Sequence, residues 1–222
     1  MQNLSLVQTK LEQSLCAEDF LRRIFLRPLV EENLEENLSL TDNFGKELKE
    51  HEFVSEFLKC KYEKALIDEI RYEFNLLFVG PRRPKALPYE STYFDYKTLF
   101  GKKTMEVRGF YEAAGLKVED TKFDKFPDDF IGYEFQYLYF MSFNALNKIS
   151  NENMDEFFEI IRQKQEFLDS HPKQWFSEFA KRCTEASNLL AWKNFGGFLN
   201  LYLEKEIIKL ASFRKSLNGF KK

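Results

Sequence analysis

Chain breakers are scarce in this sequence. Its 222 residues hold nine glycines and six prolines, and three of those prolines crowd together as Pro81, Pro84 and Pro88. A β-rich chain needs turn residues at short, regular intervals, so this scarcity points to long helices. No stretch keeps up the apolar–polar alternation of a half-buried strand. Apolar residues recur at helical spacing instead. Leu4, Leu11, Leu15, Phe20, Leu21, Ile24 and Phe25 fall roughly on one face, and Pro28 ends that run. The expected fold is all-α: one compact domain over residues 1–222, of about eight to ten helices, with a hinge candidate at 116–127.

The same logic places the other elements. A loop is expected after Pro28, then a helix from Thr41-Asp42 toward Leu58. A helix from about Tyr62 to Phe78 precedes the proline-rich loop from Val79 to Tyr89. Shorter helices are expected at Ser91–Leu99 and Thr104–Ala114, the second capped by Gly115. A strongly apolar helix starts at Asp128 or Asp129 and reaches Leu146. Helices at Met154–Leu168, Trp175–Leu190 and Phe195–Leu217 complete the chain.

Charge narrows the functional classes. The net charge is −3, which exerts no general pull on nucleic acid. Its distribution is uneven. Pro28 to Glu69 carries twelve acids against five bases, net −7, and Lys173 to Lys222 carries ten bases against four acids, net +6. No apolar run approaches the ~20 residues that cross a bilayer, so stable membrane insertion is not expected. Arg22-Arg23-Ile24-Phe25-Leu26-Arg27 has the form of a twin-arginine export signal, but the acidic Glu31-Glu32-Asn33-Leu34-Glu35-Glu36 follows where an apolar stretch belongs. It reads as a helix end. Cys16, Cys60 and Cys183 fit no metal or redox spacing and suit a reducing cytoplasm.

Enzyme patterns fail one by one. The two histidines, His51 and His171, stand in no metal-binding spacing, and there is no phosphate loop, dinucleotide fingerprint or nucleophile elbow. No catalytic residue, metal or cofactor is expected. A helical enzyme using carboxylates alone remains an alternative. So does a nucleic-acid-binding regulator leaning on Arg82, Arg83, Lys85 and the basic C-terminus.

Two segments stand out. In Pro88-Tyr89-Glu90-Ser91-Thr92-Tyr93, proline fixes an extended lead-in, Ser91 can cap a helix, and Tyr89 and Tyr93 stand four apart. In Phe126-Pro127-Asp128-Asp129-Phe130-Ile131-Gly132-Tyr133-Glu134-Phe135, two carboxylates open an apolar helix beside aromatic rings. Carboxylates at a helix start often serve as caps. Carboxylates beside aromatics also suit a basic, apolar peptide, because guanidiniums seek carboxylates and an apolar helix seeks an aromatic groove.

Five motifs in order resemble the TorD/DmsD/NarJ family of redox enzyme maturation chaperones. They are Phe78-Val79-Gly80, Pro88 to Tyr93, Tyr111 to Gly115, Pro127-Asp128-Asp129, and His171-Pro172-Lys173-Gln174-Trp175. The resemblance covers roughly residues 60 to 180. It implies a cytoplasmic chaperone, not an enzyme. Such a protein binds the twin-arginine signal peptide or the apo form of a molybdoenzyme catalytic subunit precursor, and holds it until cofactor insertion and export. It implies a monomer or domain-swapped dimer, with the client open among formate dehydrogenase, nitrate reductase and S- or N-oxide reductases. The implied peptide-binding residues are Asp128, Asp129 and Glu134 for the arginines, with Pro88, Tyr89, Tyr93, Phe130 and Tyr137 for the apolar half. The family's Asp-His pair falls here on Asp129-Phe130, so its imidazole is missing.

Overall fold

A computed structural model describes residues 2–27, 29–80, 84–94, 99–118 and 126–217. Its described residues form eleven α-helices and no named strand. The order is α1 (Gln2–Leu26), α2 (Glu31–Leu40), α3 (Lys46–Lys49), α4 (Glu52–Leu58), α5 (Lys64–Phe74), α6 (Ser91–Phe94), α7 (Lys102–Ala113), α8 (Ile131–Ser150), α9 (Met154–Ser170), α10 (Pro172–Ala186) and α11 (Leu190–Leu217). The all-α expectation holds.

Helix α1 packs along α8, α10 along α11, and α8 against α9. The buried apolar side chains form one continuous cluster. Aromatic rings dominate its centre. Phe25 packs on Phe74, Phe78, Phe179 and Phe195 at centroid separations of 5.4–6.3 Å, and Trp192 closes on Phe57, Phe74 and Phe78. Edge and tilted contacts of this kind add stability beyond burial alone. Gly132 lets α8 approach α1: a Cβ there would meet Phe130 at 2.6 Å and Leu26 at 3.0 Å.

A buried ion cluster crosses the helix bundle. Lys164 on α9 donates to Glu18 on α1 and Glu206 on α11, both at 2.6 Å, and to Ser142 on α8 at 2.7 Å. Tyr202 donates to Glu18, and Lys209 and Ser14 donate to Glu206. Burial disfavours the Lys164 ammonium, but the two carboxylates outweigh it and its pKa is raised. Burial opposes ionisation of Glu206 too, yet Lys164 and Lys209 bring its pKa down to about 2.

Three local expectations are corrected. The acidic stretch after Pro28 is helix α2, not loop. Glu31 and Glu32 lie in its first turn, where the dipole favours them, Asn33 accepts from the Val30 N–H at 3.0 Å, and Leu38 is buried. The helix expected from Thr41 to Leu58 is broken at Gly45 and His51 into a 3₁₀ turn, α3 and α4. The His51 Nδ1 caps α4 by accepting from the Phe53 N–H at 3.2 Å. Helix α5 ends at Phe74 in a wide turn over Asn75–Val79. The C-cap at Gly115 is as expected: φ is +73° and Leu116 N–H reaches back to the Tyr111 carbonyl at 2.8 Å. The middle of the Ser91–Leu99 expectation, residues 81–83 of the proline-rich loop, and most of the 116–127 hinge lie outside the described residues.

Candidate functional site

The two singled-out segments lie side by side. Tyr89 and Phe130 form an isolated antiparallel bridge, with Glu90 N–H donating to the Asp129 carbonyl at 3.1 Å and Ile131 N–H to the Pro88 carbonyl at 3.0 Å. Pro88 favours extended backbone at the residue before it, and a turn from Pro127 to Phe130, closed by the Phe130 N–H on the Pro127 carbonyl at 3.0 Å, presents the other side of the pairing. The bridge carries Glu90, Ser91, Asp128 and Asp129 to one place.

Asp129 is fully buried. Its Oδ2 accepts the Ser91 N–H and its Oδ1 accepts the Thr104 hydroxyl, each at 2.7 Å. It therefore caps α6 rather than α8, whose N-cap is Phe130 with no side-chain hydrogen bond. Asp128 accepts from Arg108 Nε at 2.6 Å, and its carbonyl accepts from the Tyr111 hydroxyl at 3.0 Å. Glu134 is fully buried and accepts from Trp175 Nε1 at 3.3 Å, while its other oxygen has no hydrogen-bond partner among the described residues. Burial, then the nearby Glu90 and Asp129, hold the Glu134 pKa well above the usual carboxylate range.

Glu90 and His171 complete the cluster. His171 Nδ1 and Glu90 Oε2 share a hydrogen bond at 2.7 Å, both groups buried, and Lys103 Nζ stands 3.7 Å from Glu90 Oε1. Burial raises the Glu90 pKa, and His171 and Lys103 oppose that rise. Four of the five motifs thus meet in one buried polar node, supplied by α6, α7, the start of α8 and the start of α10. The fifth, Phe78-Val79-Gly80, ends the wide turn, and Phe78 joins the aromatic core.

Tyr89 and Tyr93 do not share a helical face, which corrects the i, i+4 expectation. Helix α6 begins at Ser91, so Tyr89 lies in the bridge and packs on Phe130 at 5.5 Å. Tyr93 packs on Trp175 at 5.2 Å, donates to the Leu87 carbonyl, and lies under the Arg182 guanidinium. Pro88 is buried. Phe130, in the family's histidine position, sits among Phe25, Tyr89, Phe126 and Tyr133, stacked on Phe126 at 4.6 Å. Aromatic rings thus surround Phe130. The imidazole of the node is that of His171, from the His171-to-Trp175 motif.

Beside the node lies an open groove between α7, residues 116–118 and the start of α8. One part has a volume of about 580 Å³ and is lined by Phe100, Arg108, Glu112, Phe126 and Asp128, among others. An adjoining part of about 280 Å³ takes in Tyr133, Gln136 and Tyr137, and the two share Tyr111, Leu116, Lys117 and Val118. Of the eight residues singled out in the sequence, Asp128 and Tyr137 border this groove, each with only a sliver of surface, 6% and 2% exposed. Asp129, Glu134, Phe130 and Pro88 are buried away from it.

Sequence reasoning missed Phe100, Arg108, Thr104 and the Glu90–His171 pair. Phe100 has φ +64°, a left-handed conformation that strains a bulky side chain, and is 56% exposed at the groove. The only signal for it was its place between a proline-rich loop and Gly101, too common to single out.

Among the described residues no group of histidine, cysteine and carboxylate side chains is placed to hold a metal ion, and no helix is long and apolar enough to cross a membrane. Comparison with known proteins gives three findings. The chaperone protein TorD of Vibrio cholerae serotype O1, in three strains, is 31% identical over 117 residues, which is 53% of this chain and 51% of that protein. The chain thus spans about half the length of the curated relatives it matches. A crystal structure described as a redox enzyme maturation protein of Archaeoglobus fulgidus shares the fold, with a TM-score of 0.54 at 21% identity over 89% of this chain and 93% of that one. The pattern of the nitrate reductase delta subunit family matches residues 38–181, a span that contains all five motifs. This chain belongs to the nitrate reductase delta subunit family, within the TorD/NarJ grouping that its motifs resemble.

Proposed function

We propose that this protein is a cytoplasmic redox enzyme maturation chaperone. It binds the twin-arginine signal peptide of a molybdoenzyme catalytic subunit precursor and holds the apo-subunit until its cofactor is inserted. The observation that carries this reading is the groove over the motif node. It offers aromatic and aliphatic walls, Tyr111, Phe126, Tyr133, Tyr137, Leu116 and Val118, with the carboxylates of Asp128 and Glu112 at its side. A signal peptide carries two guanidiniums and an apolar stretch. Aromatic walls bind the apolar stretch at low entropic cost, and the carboxylates take the guanidiniums.

Of the eight expected peptide-binding residues, Asp128 and Tyr137 touch the peptide in this proposal. Asp129, Glu134, Phe130, Pro88, Tyr89 and Tyr93 act from behind, by fixing the bridge and the start of α8 that form the groove wall. Asp128 is already paired with Arg108, which is 43% exposed. An incoming arginine exchanges for Arg108 at that carboxylate, whereas a peptide lacking one leaves that pair in place and makes no charge-assisted bond there. The relatives named as a TorD chaperone and a redox enzyme maturation protein support the class of client.

The experiment is affinity purification of the tagged protein from its native cell, with the co-purifying polypeptide identified in strains carrying the intact or leader-deleted client gene. Recovery of a molybdoenzyme subunit, reduced when its leader is deleted, is the expected result. Recovery of no redox subunit from cells expressing one would overturn the proposal.

A further inference from the structure

A second groove, of about 310 Å³, lies between α1, α3 and α11, on different elements from the peptide groove. Its lining includes Lys10, Lys46, Lys205 and Lys209 together with Leu48 and Ile208. Glu47 is the one exposed carboxylate in that lining, and it pairs with Lys205 at 2.5 Å. That pair is open to water, with side chains 34% and 62% exposed, so it holds weakly and an incoming carboxylate can displace Glu47. Lys10 and Lys46 have no carboxylate within ion-pair distance among the described residues. Lys209 is held in place by Ser14 at 2.6 Å and Glu206 at 2.9 Å, which use two of its three donors. Ile208 is more than half exposed beside these cations.

We infer that this groove docks an acidic, amphipathic segment of a partner protein, with carboxylates meeting Lys10, Lys46 and Lys205 and an aliphatic side chain covering Ile208. Charge complementarity carries the choice of occupant. Three lysines, Lys10, Lys46 and Lys205, face one displaceable glutamate, with Lys209 held by Glu206, and the same lining offers the exposed Ile208 above the buried Leu48. A concave site with an apolar centre fits side chains of a folded segment, whereas a phosphate backbone or a lipid surface calls for a line or plane of cations. A chaperone holding its client at two separate grooves gains by linkage, since the second contact becomes intramolecular once the first is made.

The test uses the full chain and a fluorescein-labelled helical peptide built of Glu and Leu, with its Gln-for-Glu counterpart as control, followed by anisotropy. Wild type binds the acidic peptide, binding weakens with added salt, and the Gln peptide does not bind. Lys10→Glu with Lys46→Glu weakens binding by roughly tenfold or more, as does Ile208→Ser more modestly, with melting curves unchanged. If the double variant fails to fold, Lys46→Glu alone carries the test, because Lys46 is exposed and has no ion-pair partner among the described residues. Undiminished binding by a folded charge-reversal variant overturns the inference, as does equal binding of the Gln peptide. Binding only to phosphatidylglycerol vesicles would make the face a membrane site. Self-association in sedimentation that the same substitutions abolish would make it a contact between copies. Either of these last two results, without peptide binding, overturns the inference. The signal-peptide titration of the other groove is unaffected in every case, so the two proposals fail separately.

Discussion

The carboxylate of Asp129 accepts the backbone N–H of Ser91 at 2.7 Å across 38 residues of chain. That bond ties the start of α8 to the start of α6, and the Thr104 hydroxyl on the other oxygen adds α7 to the same anchor.

Asp129→Asn is therefore expected to destabilise the protein. A residue capping α8 would tolerate asparagine, which is what the sequence suggests. The actual site uses both carboxylate oxygens, and asparagine offers one oxygen and an amide that faces a buried partner. The expected loss is about 1–3 kcal/mol in denaturant unfolding, with Asp129→Ala at or beyond the upper end. Unchanged stability of Asp129→Asn would mean that the two buried bonds are not made.

Glu134 gives a pH signature. Its folded pKa is raised, so the neutral acid is favoured in the fold. The stability it confers is full below the unfolded value of about 4.5 and is lost as pH rises toward the folded value. Glu134→Gln removes that loss while keeping an oxygen for Trp175. The variant should gain stability relative to wild type as pH increases above about 4.5. A constant offset across pH 4–8 would contradict the assignment.

Lys164 stands between two buried carboxylates. Lys164→Met leaves Glu18 without a cation and Glu206 with Lys209 alone, at an expected cost of about 3–5 kcal/mol. Adding Glu18→Leu and Glu206→Leu should recover much of it, since an apolar cluster tolerates burial better than an unpaired charge. A triple variant no more stable than the single one would contradict this.

Phe100 trades stability for exposure. At φ +64° glycine is unstrained where phenylalanine is not. Phe100→Gly should raise stability by up to about 1 kcal/mol, offset in part by the freer unfolded chain. It should also weaken signal-peptide binding, because the groove loses a wall. Tighter binding by the glycine variant would remove Phe100 from the site.

Much of the fold was legible because helical spacing and sparse breakers act locally. Helix α1 stops at Leu26, before Pro28 in the sequence, and Gly115 caps α7 by chemistry contained within a few residues, while α10 opens at Pro172, ahead of the expected Trp175. Helix α2 was missed because its acidity outweighed the Leu34–Leu38 spacing, although those acids suit a helix N-terminus. The motif order was legible too, and so was the family. The partners were not. Asp129–Ser91, Glu134–Trp175 and Glu90–His171 join residues 38, 41 and 81 apart, and no local periodicity encodes such pairings. The acids read as exposed because two adjacent carboxylates usually are. Here both are buried, Asp129 behind the antiparallel bridge and Asp128 against Arg108.

The central claim is that the groove over the node binds a signal peptide through Asp128 and Glu112. It is tested by calorimetric titration of a client twin-arginine peptide, and of the same peptide with both arginines changed to glutamine. The proteins are wild type, Asp128→Asn and Glu112→Gln, each checked by melting. The account predicts measurable binding of the arginine peptide to wild type, a loss of about tenfold or more with either the glutamine peptide or Asp128→Asn, and a smaller loss with Glu112→Gln. Equal affinity of wild type and folded Asp128→Asn for the arginine peptide would contradict it.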